Sequence, residues 1–215
     1  IVIDDVSLTF TKSVSSADEI ISLDASTENG KLLKGWYDSD GNLYKTTSNI
    51  LSAVNLHPEY INVGKNLNGT LQQSENDPCP TPENANYING MYVQGAQLRI
   101  GEGLPTAIRF VTVNNTDLIT TLSQIGFTNI SYGTLVSRVD KFVDNYCLTF
   151  NDIKDNRAAD VKADKIYLTS ADLNTNYQKY TACVINIPQS DYKTNIYARP
   201  YIKYTDLSGV QRVIY

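Results

Sequence analysis

The sequence holds very few of the residues on which most enzymes and metal sites depend. Its 215 residues include one histidine, one tryptophan, one methionine and three cysteines. A zinc site generally needs three or four His or Cys ligands, so a multi-histidine site is excluded and a cysteine-rich one is hard to build. No run approaches the roughly 18–20 apolar residues that span a bilayer, and we expect no membrane insertion.

The charge balance is mildly acidic. Lys and Arg number 18 against 23 Asp and Glu, a net charge of -5, and charged residues make up only 19%. Nucleic-acid binding depends on clustered Lys and Arg, so no nucleic-acid partner is expected. A hydrophobic content of 41% is enough for a core. The surface is rich in Asn, Ser and Thr, which is common in secreted bacterial modules. We therefore expect an extracellular or cell-surface-attached protein.

The chain is expected to contain two modules. Residues 72–89 hold three prolines and many Asn and Glu residues, without apolar periodicity. Proline removes a backbone donor and favours extended neighbours, so this stretch is typical of a linker. We predict a small β-rich module over residues 1–75, a Pro/Asn-rich linker over 76–89 and a β-sandwich module over 90–215. The start of the chain has neither a methionine nor the basic region of a signal peptide, which indicates a fragment of a longer protein.

Short strands are predicted in the first module. Residues 6–10 alternate apolar and polar side chains, and residues 1–3 and 20–23 are further candidates. The strongest signal lies in residues 31–45, where Asp40-Gly41 separates two β-forming runs. An Asp-Gly pair supplies the positive φ of a tight turn and predicts a β-hairpin.

The second module is predicted to be a β-sandwich with one short helix. The helix covers residues 116–126, with Thr116 as its cap and Gly126 at its end. Asp206 to Gly209 is predicted to be a turn. The predicted strands are residues 92–100, 107–113, 132–136, 147–150, 166–168, 180–187, 197–204 and 210–215. The fold class is therefore mainly β: a small β-grasp-like or otherwise β-rich module followed by an immunoglobulin-like β-sandwich.

Two resemblances concern the first module. Residues 3–8 (IDDVSL) resemble the end strand of jelly-roll carbohydrate-binding modules, which implies that residues 1–10 belong to an upstream module or are borrowed by the next domain. Residues 34–38 (KGWYD), with Gly41, Leu43 and Tyr44, resemble the Listeria–Bacteroides-type repeat of bacterial surface proteins, a small β-grasp-like spacer. This second resemblance covers residues 18–70, although residues 55–68 stand where the repeat has its closing aromatic strand.

A third resemblance covers more than half of the chain. Residues 90–215 resemble an uncharacterised β-sandwich module of large surface and cellulosome-associated proteins of anaerobic Firmicutes. The matching pieces, in the same order, are GAQLR at 95–99, IRF at 108–110, YGTLV at 132–136 and IYARPYI at 196–202. No activity is established for this family, so the resemblance implies none for the chain in either direction.

Candidate ligand-binding residues cluster around the predicted hairpin. Trp36, Tyr37 and Tyr44 could stack on a sugar ring, with Asp38 and Asp40 bonding its hydroxyl groups. The alternative interpretation is that Trp36 anchors the core of its module, since a lone tryptophan in a small domain is usually buried. A calcium site is not expected, because residues 38–42 place glycine at position 4 instead of position 6 of an EF-hand loop. No metal or cofactor is predicted.

Catalysis is not expected. His57 lacks an accompanying nucleophile motif and is interpreted as a surface or loop residue. Arg99, Arg109 and Arg199 alternate with apolar residues on predicted strands, which favours a hydrogen-bonded set on one sheet face over an anion or sugar-acid site. Cys147 and Cys183 form either a disulfide or two buried thiols.

These patterns favour a non-catalytic extracellular module pair. We expect a spacer or interaction region of a multimodular bacterial surface or polysaccharide-degrading protein, with polysaccharide or neighbouring modules as partners. The alternative is a carbohydrate-binding module that contacts glycans through Trp36 or a tyrosine platform.

Overall fold

The computed structural model describes most of the second predicted module and part of the first. The described residues are 2–3, 6–7, 31–48, 54–62, 91–101, 103–138, 148–154, 158–162, 166–169, 172 and 175–215.

Thirteen strands and two α-helices occur in these residues. The helices are α1 (Thr116–Ile125) and α2 (Phe150–Lys154), and a 3₁₀ turn covers Gln189–Asp191. The strands are β1 (Val2–Ile3), β2 (Val6–Ser7), β3 (Lys31–Tyr37), β4 (Leu43–Tyr44), β5 (His57–Asn62), β6 (Met91–Arg99), β7 (Ala107–Asn115), β8 (Thr128–Arg138), β9 (Ala158–Lys162), β10 (Ile166–Leu168), β11 (Tyr177–Ile185), β12 (Ile196–Thr205) and β13 (Gln211–Ile214).

Two four-stranded antiparallel sheets form a β-sandwich. Sheet I has the order β10-β11-β7-β6 and sheet II the order β13-β12-β8-β9. Phe110 of β7 packs with Val136 of β8 between the sheets. The hydroxyl groups of Thr112 and Thr134 lie 3.1 Å apart in the same interior. The prediction of a mainly β fold with a sandwich and a short helix is confirmed.

Helix α1 begins and ends through local side-chain and backbone chemistry. Its cap is Asn115, whose side chain accepts a bond from the Asp117 N–H over 2.8 Å. The predicted cap, Thr116, instead donates its hydroxyl to the Asn176 carbonyl. The helix ends as predicted at Gly126, whose φ of 97° is open to glycine at little cost. Leu118 and Leu122 face the core.

A third sheet, of order β4-β3-β5, contains the predicted hairpin. Trp36 pairs with Tyr44 across the turn, and Gly41 has the expected positive φ of 80°. The hairpin prediction is confirmed. β1 pairs with β2, as their apolar residues suggest.

The third sheet shares its core with the sandwich. Leu32 of β3 lies in one buried cluster with Met91 of β6 and Ile202 of β12. Leu33 and Trp36 pack against Val210. The described residues of the first predicted module therefore fold against the second. Residues 72–89, where we place the boundary, lie outside the described residues, as do the candidate strand 20–23 and Cys147. The division into modules stays a prediction.

One strand prediction is wrong. Residues 148–149 are not a strand, and Phe150 begins α2. The reason is a capping box: the Asp152 carboxylate accepts the Thr149 N–H over 2.7 Å and so satisfies a donor at the start of the helix. An apolar stretch of three residues resembles a strand, but the Thr-x-x-Asp spacing determines the backbone here.

Two strands escape the sequence patterns. β5 contains His57 and Pro58, and proline argues against a central strand. β5 tolerates it because it lies at the edge of its sheet. β9 is short, contains Asp160 and two alanines, and lies at the edge of sheet II. His57, predicted to lie at the surface or in a loop, is thus a half-buried strand residue.

Candidate interaction surface

Trp36 lies in the interior. It is 1% exposed and packs with Leu33, Tyr44, Leu56 and Val210. No face of the indole is open to a sugar ring in this position. The burial agrees with the interpretation of Trp36 as a core anchor.

The other four predicted ligand-binding residues surround the same hairpin. Tyr37 is buried, and the Lys34 ammonium lies 4.8 Å from the centre of its ring. The Asp38 carboxylate accepts the N–H groups of Asn42 and Asp40 over 2.8 and 3.0 Å, which fixes the turn. Tyr44 is half-buried, and only Asp40 has a fully exposed side chain. Their role in binding stays a prediction.

The three predicted arginines do not share a face. Arg99 and Arg109 lie on sheet I with exposed side chains. Arg199 lies on sheet II, where it donates to the Leu148 carbonyl over 2.9 Å and covers the ring of Tyr215. Burial lowers the pKa of Arg199 to about 10. The expectation of one common sheet face is therefore wrong, because β6 and β7 belong to a different sheet from β12.

Arg99 and Arg109 line a shallow depression of about 340 Å³ at one end of sheet I, formed by β6, β7 and β11. Strand register places Gln97 and Cys183 on either side of Arg109. Arg109 contacts the Gln97 side chain, and the Arg99 Nε donates to the Pro105 carbonyl over 3.1 Å. We call this area the sheet I surface; its residues are Gln97, Leu98, Arg99, Ala107, Arg109, Cys183 and Ile185.

The sheet I surface is cationic in a chain that is acidic overall. β6, β7 and β11 carry Arg99, Arg109 and Lys179 and contain no Asp or Glu. Within the described part of the chain, neither Arg99 nor Arg109 has a carboxylate partner. Arg138 and Arg212, by contrast, pair with Asp191 and Asp206. Two exposed guanidinium groups therefore have no counter-charge among the described residues around them.

Apolar side chains border these arginines. Leu98 is 68% exposed and Ile185 is 56% exposed. Leu98 pairs with Ile108, whose side chain lies in the sandwich interior, but Leu98 stands at the free end of the edge strand. Ile100 and Leu104 in the β6–β7 connection are also exposed. The sequence analysis did not predict these exposed apolar side chains. Ile100 and Leu104 in the glycine- and proline-containing run 100–105 could have indicated them, since apolar residues in a short connection are often exposed.

The tyrosines divide into a buried and an exposed group. Tyr180 donates to the Gly133 carbonyl and Tyr201 to the Asp160 carboxylate, each over 2.6 Å. Burial raises the pKa of Tyr180 and Tyr201, and of Tyr204, so all three stay protonated and structural. Tyr192 and Tyr197 are 48% and 49% exposed.

Other functional groups are sparse in the described residues. No group of three or more His, Cys, Asp or Glu could hold a metal ion there. Cys183 is an exposed free thiol, so the two predictions for it, a disulfide with Cys147 and a buried thiol, are both wrong. Cys183 is exposed because side chains alternate along β11: Ala182 points into the interior, so Cys183 points outward. No described helix is long and apolar enough to cross a membrane.

Comparison with models of protein families, with curated proteins and with solved structures found no match for the chain.

Proposed function

We propose that the chain is a non-catalytic interaction region of a larger, multimodular protein of the bacterial surface or of polysaccharide degradation. Its sandwich serves as a rigid spacer, and the sheet I surface contacts the partner. The observation that carries this proposal is the exposed pair Arg99 and Arg109, without a carboxylate partner in the described residues and bordered by exposed Leu98 and Ile185.

The buried ionisable groups support a structural role for the rest of the sandwich. Tyr180 and Tyr201 hold strands together through hydrogen bonds, and Arg212 pairs with Asp206 in the interior. Perturbed pKa values at catalytic sites usually occur in a cleft where substrate can enter. The raised pKa values of Tyr180 and Tyr204 occur in closed packing, which favours a structural role for these residues over a catalytic one. The abundance of uncharged polar residues supports an extracellular setting.

The test compares ligand binding by three proteins. They are the unaltered chain, the surface variant Arg99→Gln/Arg109→Gln and the matched control Lys45→Gln/Lys203→Gln. The control loses the same charge from an exposed position after β4 and a half-exposed position on sheet II. Each is screened against a random peptide library and a glycan array. We expect ligands that bind the chain and the control but lose affinity for the surface variant. If every ligand binds all three proteins equally, the sheet I surface is not the contact region.

A carbohydrate-binding function is the second candidate. Tyr192 and Tyr197 favour it, because exposed aromatic rings are the usual platforms for sugars and both are about half exposed. The Tyr192 hydroxyl also bonds to Thr106 beside the Arg99 contact at Pro105. Affinity electrophoresis on starch, cellulose, xylan and mucin tests this function. Tyr192→Ala and Tyr197→Ala should abolish any retardation, whereas Tyr177→Ala, which removes another exposed tyrosine, should not. If none of the four polysaccharides slows the migration of the folded chain, the carbohydrate-binding function is contradicted.

A further inference from the structure

We infer that β6 takes up an extended peptide segment with alternating apolar and acidic residues, which adds to sheet I as a fifth strand. This inference rests on the proposed interaction function and names the partner of the same surface. The partner is a short linear segment of another module or protein.

The edge position of β6 provides the backbone for such pairing. In the order β10-β11-β7-β6, β6 is the last strand, and among the described strands it pairs with β7 alone. Its residues from Gln94 to Arg99 are all exposed. The unpaired side of an edge strand presents a row of N–H and C=O groups that can bind an extended peptide.

The two faces of β6 specify the side chains of the guest. Gln97 and Arg99 point outward with Arg109, whereas Ala96 and Leu98 lie on the side of Phe110 and Ile108. A guest strand would place its own alternate side chains in these two rows, about 5 Å from those of β6. Carboxylates on the outer row would pair with the arginines. Apolar groups on the inner row would cover Leu98.

A β-bulge limits the length of the guest. The β6–β7 register shifts between Val93 and Gly95, and a bulge interrupts the regular ladder. The straight part of β6 therefore runs from Gly95 to Arg99. A guest segment should pair over this part and lose its register beyond Gly95.

Charge complementarity distinguishes this partner from two others. A second copy of the chain would bring a β6 that carries Arg99 and no acidic residue, so two such edges have no opposite charges to pair. An acidic polysaccharide could neutralise Arg99 and Arg109 but would leave Leu98 exposed. The alternating peptide satisfies the backbone, the arginines and Leu98 together.

The test uses NMR titration of the full chain with defined probes. The main probe is a capped peptide of about nine residues, a common strand length, in which valine and glutamate alternate. The comparison probes are a peptide of the same composition with valines and glutamates in separate blocks, an alternating valine–lysine peptide, and oligogalacturonate. We expect the alternating acidic peptide to shift the amide signals of residues 94–99 and to show inter-strand contacts to them.

Variants then assign the contacts. Arg99→Gln/Arg109→Gln should weaken binding of the main probe about tenfold, since two exposed charge pairs are lost. Leu98→Ser should weaken it as well, while the exposed position keeps the fold intact. Lys45→Gln/Lys203→Gln, which removes two positive charges outside sheet I, should leave binding unchanged.

Two results would overturn the inference. The first is the absence of binding by the alternating peptide. The second is equal binding of the block peptide or oligogalacturonate, which would show an anion site without strand addition. Either result leaves the proposed function standing if library ligands still depend on Arg99 and Arg109. If instead every library ligand binds the chain, the surface variant and the control equally, the proposed function of the sheet I surface is contradicted.

Discussion

The Ser208 hydroxyl accepts a hydrogen bond from the backbone N–H of Trp36 over 3.2 Å, although 172 positions separate the two residues. The Ser208 carbonyl also accepts the Thr46 N–H over 2.9 Å. Ser208 is fully buried in the turn between β12 and β13. One residue of this turn therefore attaches both strands of the β3–β4 hairpin to the sandwich.

Replacing Ser208 by alanine should destabilise the whole chain. The Trp36 N–H would remain buried without its acceptor, which costs about 1–3 kcal/mol. Urea unfolding followed by circular dichroism measures the loss. Ser190→Ala is the control, because Ser190 is exposed and its hydroxyl bonds only at the surface. Equal stability of Ser208→Ala and Ser190→Ala would contradict the role of the long-range bond.

Gly133→Ala should be destabilising because there is no room for a methyl group. A Cβ at Gly133 would lie 2.5 Å from the Tyr201 hydroxyl oxygen and 2.8 Å from the Val161 carbonyl oxygen. Overpacking of this kind costs roughly 1–3 kcal/mol. Thermal unfolding should show a lower Tm. Gly95→Ala is the matched control, since a Cβ on this strand glycine has no neighbour within 4 Å.

A second substitution should partly rescue Gly133→Ala. Tyr201→Phe removes the hydroxyl that the new methyl group meets, although it also breaks the bond to Asp160. The double variant should therefore be less destabilised than the two single effects added together. The Tyr201 Cζ atom, which phenylalanine keeps, and the Val161 backbone oxygen each lie 2.8 Å from the new Cβ, so the rescue stays incomplete. Strict additivity of the unfolding free energies would show that the Tyr201 hydroxyl is not the obstacle.

The buried ion pair of Arg212 and Asp206 should show strong coupling. The Arg212 Nε lies 3.0 Å from Asp206 Oδ2, and the other oxygen of Asp206 accepts the Val210 N–H. Arg212→Met leaves a buried carboxylate without this partner and should cost about 3–5 kcal/mol. Asp206→Asn in the same chain removes the charge and keeps an acceptor for Val210, so it should recover part of the loss. A double-mutant cycle in urea should give a coupling energy of about 1–3 kcal/mol, and a value near zero would contradict this.

Asp38 should make stability depend on acid pH. The N–H of Asn42, followed by the Asn42 side chain and the Asp40 N–H, holds the pKa of Asp38 below its ordinary value of 3.8. A carboxylate with a lowered folded-state pKa contributes stability above about pH 4 and loses it as the pH falls through that lowered value. The Tm difference between the chain and Asp38→Asn should thus shrink below pH 4. Asp40→Asn controls for the lost charge, and a difference that stays constant down to pH 2.5 would contradict the assignment.

Local patterns predicted the turns and the C-terminal end of α1 well, whereas the N-terminal cap is Asn115 instead of the predicted Thr116. Gly41 and Gly126 adopt the positive φ angles that their neighbours in sequence imply, and residues 206–209 form the expected turn. These features depend on a few adjacent residues. Helix α2 was missed although the Thr149–Asp152 spacing was visible, because the apolar residues beside it outweighed two polar residues spaced three positions apart.

The candidate surface could be predicted only in part. Arg99 and Arg109 were recognised from their alternation with apolar residues, but strand order separates them from Arg199, and sequence spacing carries no strand order. Leu98 is exposed because β6 lies at the edge of sheet I, and the local sequence does not show which strand lies at an edge. The contact of Trp36 with Ser208 and Val210 depends on residues far apart in the chain and has no local signature.

Because Trp36 and Ser208 lie far apart in the sequence, the contact between them can form only late during synthesis of the chain. At about 5–20 residues per second, a ribosome needs roughly 9–34 s to add the 172 residues that separate them. Leu33 and Trp36 therefore cannot reach their final packing against Val210 until the turn between β12 and β13 has been synthesised. Burial of the single indole thus reports the completion of this long-range contact.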